Sequence, residues 1–125
     1  MKTKSNQLSE HIIGCAIEVH RVLGPGLLES IYEEALFFEL KQANLQVERQ
    51  VPVPVYYKNK KLNTDLKLDL LVEGLVIVEL KAVEKLNRIH DAQLLTYLKM
   101  NNLWLGLLIN FNEYVLKHGI KRLVN

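Results

Sequence analysis

One cysteine, Cys15, is all the chain holds. An internal disulfide is therefore excluded, and a reducing, cytoplasmic setting is the expectation. Long hydrophobic runs are missing as well. The stretch Ile12–Val19 is short and carries Glu18, and the opening Met-Lys-Thr-Lys-Ser-Asn-Gln is polar, so no signal peptide or membrane span is expected. No association with a membrane is expected. An excess of one charge is absent: 16 Lys and Arg against 14 Asp and Glu leave a net charge of +2, too small to argue for nucleic acid by itself. There is no internal repeat, no low-complexity stretch and no linker, so residues 1–125 are expected to form one domain with no second unit to carry a separate activity.

What is present is an ordinary globular composition, 49% hydrophobic and 24% charged over 125 residues. A chain of this size buries roughly 65–70% of its unfolded surface, enough for a core without staples. Leu8 to Leu23 has helical periodicity through Leu8, Ile12, Cys15 or Ala16, Val19 and Val22 or Leu23, with Ser5 or Asn6 as caps and Gly24 as the terminating residue. Cys15 lies on that stripe as a small hydrophobe, and His11 and His20 read as surface or packing residues. After Gly24-Pro25-Gly26, a second helix is expected over about Leu27 to Ala43, burying Leu28, Ile31, Tyr32, Ala35, Leu36 and Phe38 or Leu40. Glu29 and Tyr32 are neighbours on its surface at i,i+3, although an acid there also simply suits a helix N-terminus.

Gln46 to Tyr57 alternates as one long strand, and Pro52 and Pro54 confine it to a sheet edge or make it irregular. Lys58-Asn59-Lys60-Lys61 is a basic turn, either solvated or set against a phosphate backbone. Ile89 to Met100 is helical, with His90, Gln93 and Tyr97 on one face. Leu103–Asn110 reads as a buried strand. Strand, crossover helix and apolar strand make a βαβ unit, so Leu103–Asn110 should run parallel to Val76–Lys81. Tyr114 to Val124 supplies a last strand or hairpin partner.

The chemistry concentrates in Leu66–Val83, two apolar strands joined at Glu73-Gly74. Asp69 interrupts the first strand, and Glu79 and Lys81 interrupt the second on a common face. Charges set into Val/Ile/Leu strands are costly unless paired or bound to a metal. A strict two-residue turn would place Asp69 opposite Val78 and separate the carboxylates. A shared site therefore requires a three-residue loop or a bulge near Gly74. Given that, Asp-x9-Glu-x-Lys offers two hard oxygen ligands and one ammonium, a set suited to Mg²⁺ and a polarised water. The plain alternative is a surface ion pair between Glu79 and Lys81, with Asp69 solvated at an edge.

This α/β order with Asp and Glu-x-Lys on a central hairpin resembles the PD-(D/E)XK nuclease superfamily. Gly26-Leu-Leu-Glu29-Ser-Ile-Tyr32 resembles the motif of the GxxExxY protein family within it, and Gln93-x-x-x-Tyr97 also resembles RecB-type exonuclease domains. The resemblance covers nearly the whole chain; Leu68 stands where the superfamily usually has proline before the aspartate. It implies a restriction-endonuclease-like core, a mixed β-sheet of about five strands flanked by α-helices. It also implies that Asp69, Glu79 and the backbone carbonyl of Leu80 hold Mg²⁺ or Mn²⁺, with Glu29 as a further metal or water ligand. Lys81 would orient or help deprotonate the attacking water. Gln93 and Tyr97 would contact the substrate phosphate or hold the acids, with Tyr32 and His90 in the same supporting group.

The implied activity is that of a hydrolase: Mg²⁺-dependent cleavage of phosphodiester bonds in nucleic acid, DNA before RNA. No helix-turn-helix, zinc finger or aromatic-basic stacking platform is evident in the sequence, so shape or end recognition, a homodimer or a partner protein would choose the target. Two alternatives stand beside this reading. One is a non-catalytic nucleic-acid-binding or protein-interaction module that keeps the fold; the other is a hydrolase of small phosphodiesters.

Overall fold

A computed structural model describes residues 2–125. Helix α1 (Lys2–Leu23) and helix α2 (Glu29–Gln42) precede strand β1 (Val47–Pro52) and a short ribbon, β2 (Tyr56–Tyr57) and β3 (Lys60–Lys61). Strands β4 (Lys67–Val72) and β5 (Val76–Lys81), helix α3 (Arg88–Asn101), strand β6 (Leu105–Asn110), a 3-10 turn (Leu116–Gly119) and strand β7 (Ile120–Val124) complete the chain. The main sheet has the order β1-β4-β5-β6-β7, with β2 and β3 paired apart from it. β5 and β6 are parallel across the α3 crossover, and the other neighbours are antiparallel. The fold is α/β, in keeping with a restriction-endonuclease-like core.

The alternation of the strands gives two apolar layers, and it is broken in β4, where Leu68 and Leu70 lie in different layers on either side of Asp69. On one face, Ile12, Ala16 and Val19 of α1 and Tyr32, Leu36 and Leu40 of α2 cover Val72, Val76, Val78, Leu80, Leu107 and Ile109. On the other, Leu94 and Leu98 of α3 cover Leu68, Ile77 and Leu108. β6 is buried along its whole length, as expected for a central parallel strand. Gly106 lets α3 come down onto it, since a Cβ there would lie 2.9 Å from the Leu94 side chain.

Several expectations are corrected. α1 begins at Lys2, and Ser5 is buried inside it rather than capping it. α2 buries Tyr32, Glu33, Leu36 and Leu40, a stripe of period four, while Leu28, Ile31 and Phe38 stay exposed. The expected strand Gln46–Tyr57 breaks at Pro52, beyond which the chain leaves the sheet edge. Its two tyrosines thereby move to the ribbon. Residues before Gly119 form a turn and a 3-10 segment, so only Ile120–Val124 pairs with β6. No helix is long and apolar enough to cross a membrane among the described residues.

Candidate functional site

The hairpin β4–β5 has the loop that a shared site demands. Val72 pairs with Val76, so the connection is the three residues Glu73, Gly74 and Leu75. Glu73 and Gly74 both have positive φ, 54° and 64°. The ladder runs through Leu71↔Ile77 and Leu70↔Val78 and stops. One step further the same register sets Asp69 across from Glu79.

At that step the carboxylates replace backbone carbonyls as acceptors. The Asp69 N–H donates to Glu79 Oε2 at 2.8 Å, and the Leu80 N–H donates to Asp69 Oδ2 at 2.9 Å. Glu79 is 5% exposed. Burial, and then the Asp69 charge, push its carboxyl up to about 8, against the opposing pull of the Asp69 N–H and of Lys81. Asp69 is raised as well, first by burial and then by the charges of Glu33 and Glu29, while the Leu80 N–H and Lys81 oppose the rise. Each group is pushed toward its neutral form first by burial and then by neighbouring negative charge that one lysine does not offset.

Two acids of α2 account for part of that excess. Glu29 and Glu33 are one turn apart on the face toward the hairpin. Glu29 Oε2 accepts the Ala82 N–H at 3.4 Å, just past the end of β5. Glu33, 8% exposed, accepts Arg49 Nε and Nη2 at 3.2 Å and Gln50 Nε2 at 2.7 Å. Gln50 also donates toward Asp69 Oδ1 at 3.5 Å. It has φ of 49° in the middle of β1, between the pairs Arg49↔Leu70 and Val51↔Leu68. The backbone twist at Gln50 thus faces Asp69 across the interrupted ladder. Glu29, Ser30, Glu33, Gln50, Asp69 and Leu80 line a depression of about 390 Å³. A depression of about 460 Å³ between α1 and α2, by contrast, is walled mainly by Val22, Leu23, Ile31, Ala35 and Phe38. It is the larger of the two, but it lies away from the hairpin acids.

From the opposite layer, α3 brings Tyr97. Burial and the charges of Glu79 and Asp69 raise its hydroxyl, while a hydrogen bond from the Gln93 side chain lowers it. Gln93 itself is exposed on the preceding turn. Tyr32 is used otherwise: its ring is fully buried and stacked on Phe111 at 4.6 Å. Its hydroxyl donates to the Gly24 carbonyl at 2.6 Å and accepts the Leu27 N–H at 3.0 Å. It therefore fastens the loop that launches α2 and aims Glu29. His90 closes a capping box at the start of α3, its Nδ1 accepting the Asn87 N–H at 3.1 Å. Both side chains hold elements in position.

Glu33, Gln50, Arg49 and Asn110 were not singled out by the sequence. Asn110 is fully buried at the end of β6, beside Lys81 in register. Its amide donates to the Val83 carbonyl at 2.9 Å and accepts the Val83 N–H at 3.1 Å, which ties down the exit of β5. The i,i+4 spacing of Glu29 and Glu33 was the available signal for the second acid.

The donor set suits a hard divalent cation. One oxygen of each hairpin carboxylate is committed to a backbone N–H, both carboxyls are raised by burial and then by neighbouring negative charge, and a cation would favour their charged forms. No three His, Cys, Asp or Glu side chains among the described residues are already gathered around a common point. An ion here would draw on two carboxylates, a main-chain carbonyl and water, the mix Mg²⁺ usually keeps.

Sheet, crossover and acidic hairpin together define an α/β core of the nuclease type. The profile described as the PD-(D/E)XK nuclease superfamily matches residues 6–123, and the chain belongs to that superfamily. Comparison with curated proteins and with solved structures gave no match.

Proposed function

We propose that the open end of the β4–β5 hairpin is the centre of a metal-dependent nuclease, hydrolysing phosphodiester bonds in nucleic acid, DNA in the first instance. The observation that carries this is the facing pair Asp69 and Glu79, whose carboxyls are both pushed up, with Lys81 two residues beyond Glu79 on β5. Asp69, Glu79 and the Leu80 carbonyl would hold Mg²⁺ or Mn²⁺, with Glu29 as a further metal or water ligand. The ion, when bound, would supply Lewis-acid polarisation of the scissile phosphate and of a water.

The remaining work falls to the chain. Lys81 orients the attacking water and offsets charge that accumulates on the phosphoryl oxygens. Glu33, through Gln50, fixes the rotamer of Asp69. Tyr97, with Gln93 behind it, holds the acids from the α3 side and offers a hydroxyl to a phosphate oxygen. Tyr32 and His90 keep α2 and α3 in position. Within the superfamily, Gly26, Glu29 and Tyr32 support placement in the GxxExxY group. The same reading takes residues 1–125 as one domain working in a reducing cytoplasm, with end or shape recognition, or a second subunit, choosing the target.

The rival is a binding module that keeps the fold without catalysis. Its support is that both carboxylates already serve as acceptors for backbone N–H groups, a purely structural use. Plasmid and labelled single strands incubated with Mn²⁺ separate the two. Cleavage by the wild type, lost in Asp69→Asn and Lys81→Met by more than about a hundredfold, supports the nuclease. Retained nucleic-acid affinity with no cleavage under any divalent ion supports the module.

A further inference from the structure

The β2–β3 ribbon is the least buried part of the chain and the most basic. It continues the β1–β4 pair through Val53 N–H to the Leu66 carbonyl at 2.9 Å and Leu62 N–H to the Val55 carbonyl at 2.8 Å. It then closes with Tyr56↔Lys61 and Tyr57↔Lys60. Facing residues on paired strands share a side. Each side of the ribbon therefore carries one tyrosine and one lysine. The rings are 62% and 60% exposed, so they contribute little to the core. Lys58, at the tip, stands over the Tyr57 ring at 5.4 Å.

Three features point to a ligand and away from plain solvation. Lys58, Lys60 and Lys61 form no ion pair among the described residues, so all three charges are open to an anion. Lys58 and Asn59 make the turn with φ of 49° and 66°, a conformation suited to asparagine or glycine and strained for lysine. A charge is therefore kept at the tip in spite of its backbone. Finally, the ribbon leaves the sheet at the end of β1 and β4 that holds Gln50 and Asp69, opposite to the Glu73-Gly74 turn. A depression of about 280 Å³ at its base takes in Pro52, Val53, Lys61, Thr64 and Lys67.

We infer that this ribbon is an arm that grips single-stranded nucleic acid: Tyr56 and Tyr57 stack on bases, and Lys58, Lys60 and Lys61 take successive phosphates. The inference rests on the nuclease reading of the adjoining site for its purpose. A pocket lined by Glu29, Glu33 and Asp69 disfavours phosphate, so a polyanion needs cationic help from outside the pocket to reach it. Tyrosine faces can stack only on bases that are already unstacked, which a duplex does not offer. A single strand, or the frayed end of a duplex, meets both requirements.

The test is fluorescence anisotropy in EDTA, with labelled oligothymidylate and oligouridylate of about 20 nucleotides and a duplex of the same length. Wild type should bind the single strands more tightly than the duplex. Tyr56→Ala/Tyr57→Ala should weaken single-strand binding by about tenfold or more and duplex binding by less than about twofold. Tyr56→Phe/Tyr57→Phe, which keeps the rings, should retain affinity. Lys58→Gln/Lys60→Gln/Lys61→Gln should lower the slope of log affinity against log salt by roughly 2. Affinity unchanged in the alanine and glutamine variants, or tyrosine loss that weakens duplex and single strand alike, overturns the arm. Circular dichroism verifies the fold of each variant. Mn²⁺ titration keeps the two readings apart: arm variants should take up the ion as wild type does. Arm-dependent binding in a protein that takes up no ion would leave the arm standing and remove the nuclease.

Discussion

The two ends of the β4–β5 hairpin are built from the same two strands and could hardly differ more. At the turn end, Leu70, Val72, Val76 and Val78 are fully buried and ladder bonds are formed. At the open end, one residue further, the ladder is given up and two carboxylates accept the N–H groups instead. The first end has its stability in apolar burial, of roughly 1.5–3 kcal/mol per large side chain. The second holds charge in a dry place and is destabilised by it until protons or a cation arrive. The contrast shows how an apolar strand pair can carry an acidic site: the rigid half anchors the strained half.

Breaking the rigid half has the largest expected effect. Leu70→Ala should lower the unfolding free energy by about 3 kcal/mol, read by urea denaturation, because its side chain sits in the layer beneath α1 and α2.

Next comes the pH dependence of the open half, in the metal-free protein with chelator present. The Glu79 carboxyl is at about 8 when folded, against 4.5 ordinarily. Between those values the folded state keeps a proton that the unfolded chain has released. Stability contributed by this group is therefore complete below about 4.5 and is lost as pH rises through about 8, and Asp69 acts in the same direction. Denaturation at about pH 5 and about pH 8 should show a loss on the order of 3 kcal/mol. Glu79→Gln, which mimics the protonated acid and still accepts the Asp69 N–H, should remove most of that slope. It should also be the more stable protein at about pH 8. A slope of the opposite sign in the wild type would contradict the charge assignment.

The smallest effect sharpens the contrast from the turn. Gly74 has φ of 64° with open space where a Cβ would go. Gly74→Ala should cost only the backbone term of about 1 kcal/mol and leave divalent-ion affinity untouched.

Much of this arrangement could be read from residue order. The requirement of a three-residue loop followed from Asp69 and Glu79 needing one face, and Val72↔Val76 satisfies it. The parallel β6 and its crossover followed from an apolar run after an amphipathic helix, and the edge position of β1 from its prolines. Glu33 was not legible, because a glutamate on a helix reads as solvated until a partner such as Arg49 comes from a strand 16 residues away. Gln50 was hidden for a similar reason, since no propensity anticipates a left-handed glutamine in a strand. Tyr56 and Tyr57 continued the alternation of β1, and only the three-dimensional break at Pro52 separates them as a ribbon. Asn110 looked like the end of an apolar strand, and its double bond to Val83 depends on the loop after β5.

Exchange of protons for a divalent ion at the open end of the hairpin is read by calorimetry. Mn²⁺ is titrated into wild type, Asp69→Asn and Glu79→Gln at about pH 7, in two buffers of different ionisation enthalpy. The wild type should take up the ion with a buffer-dependent heat that reports proton release, and both variants should lose affinity by at least about tenfold. Equal affinity in all three proteins, or no uptake by any of them, would contradict that exchange.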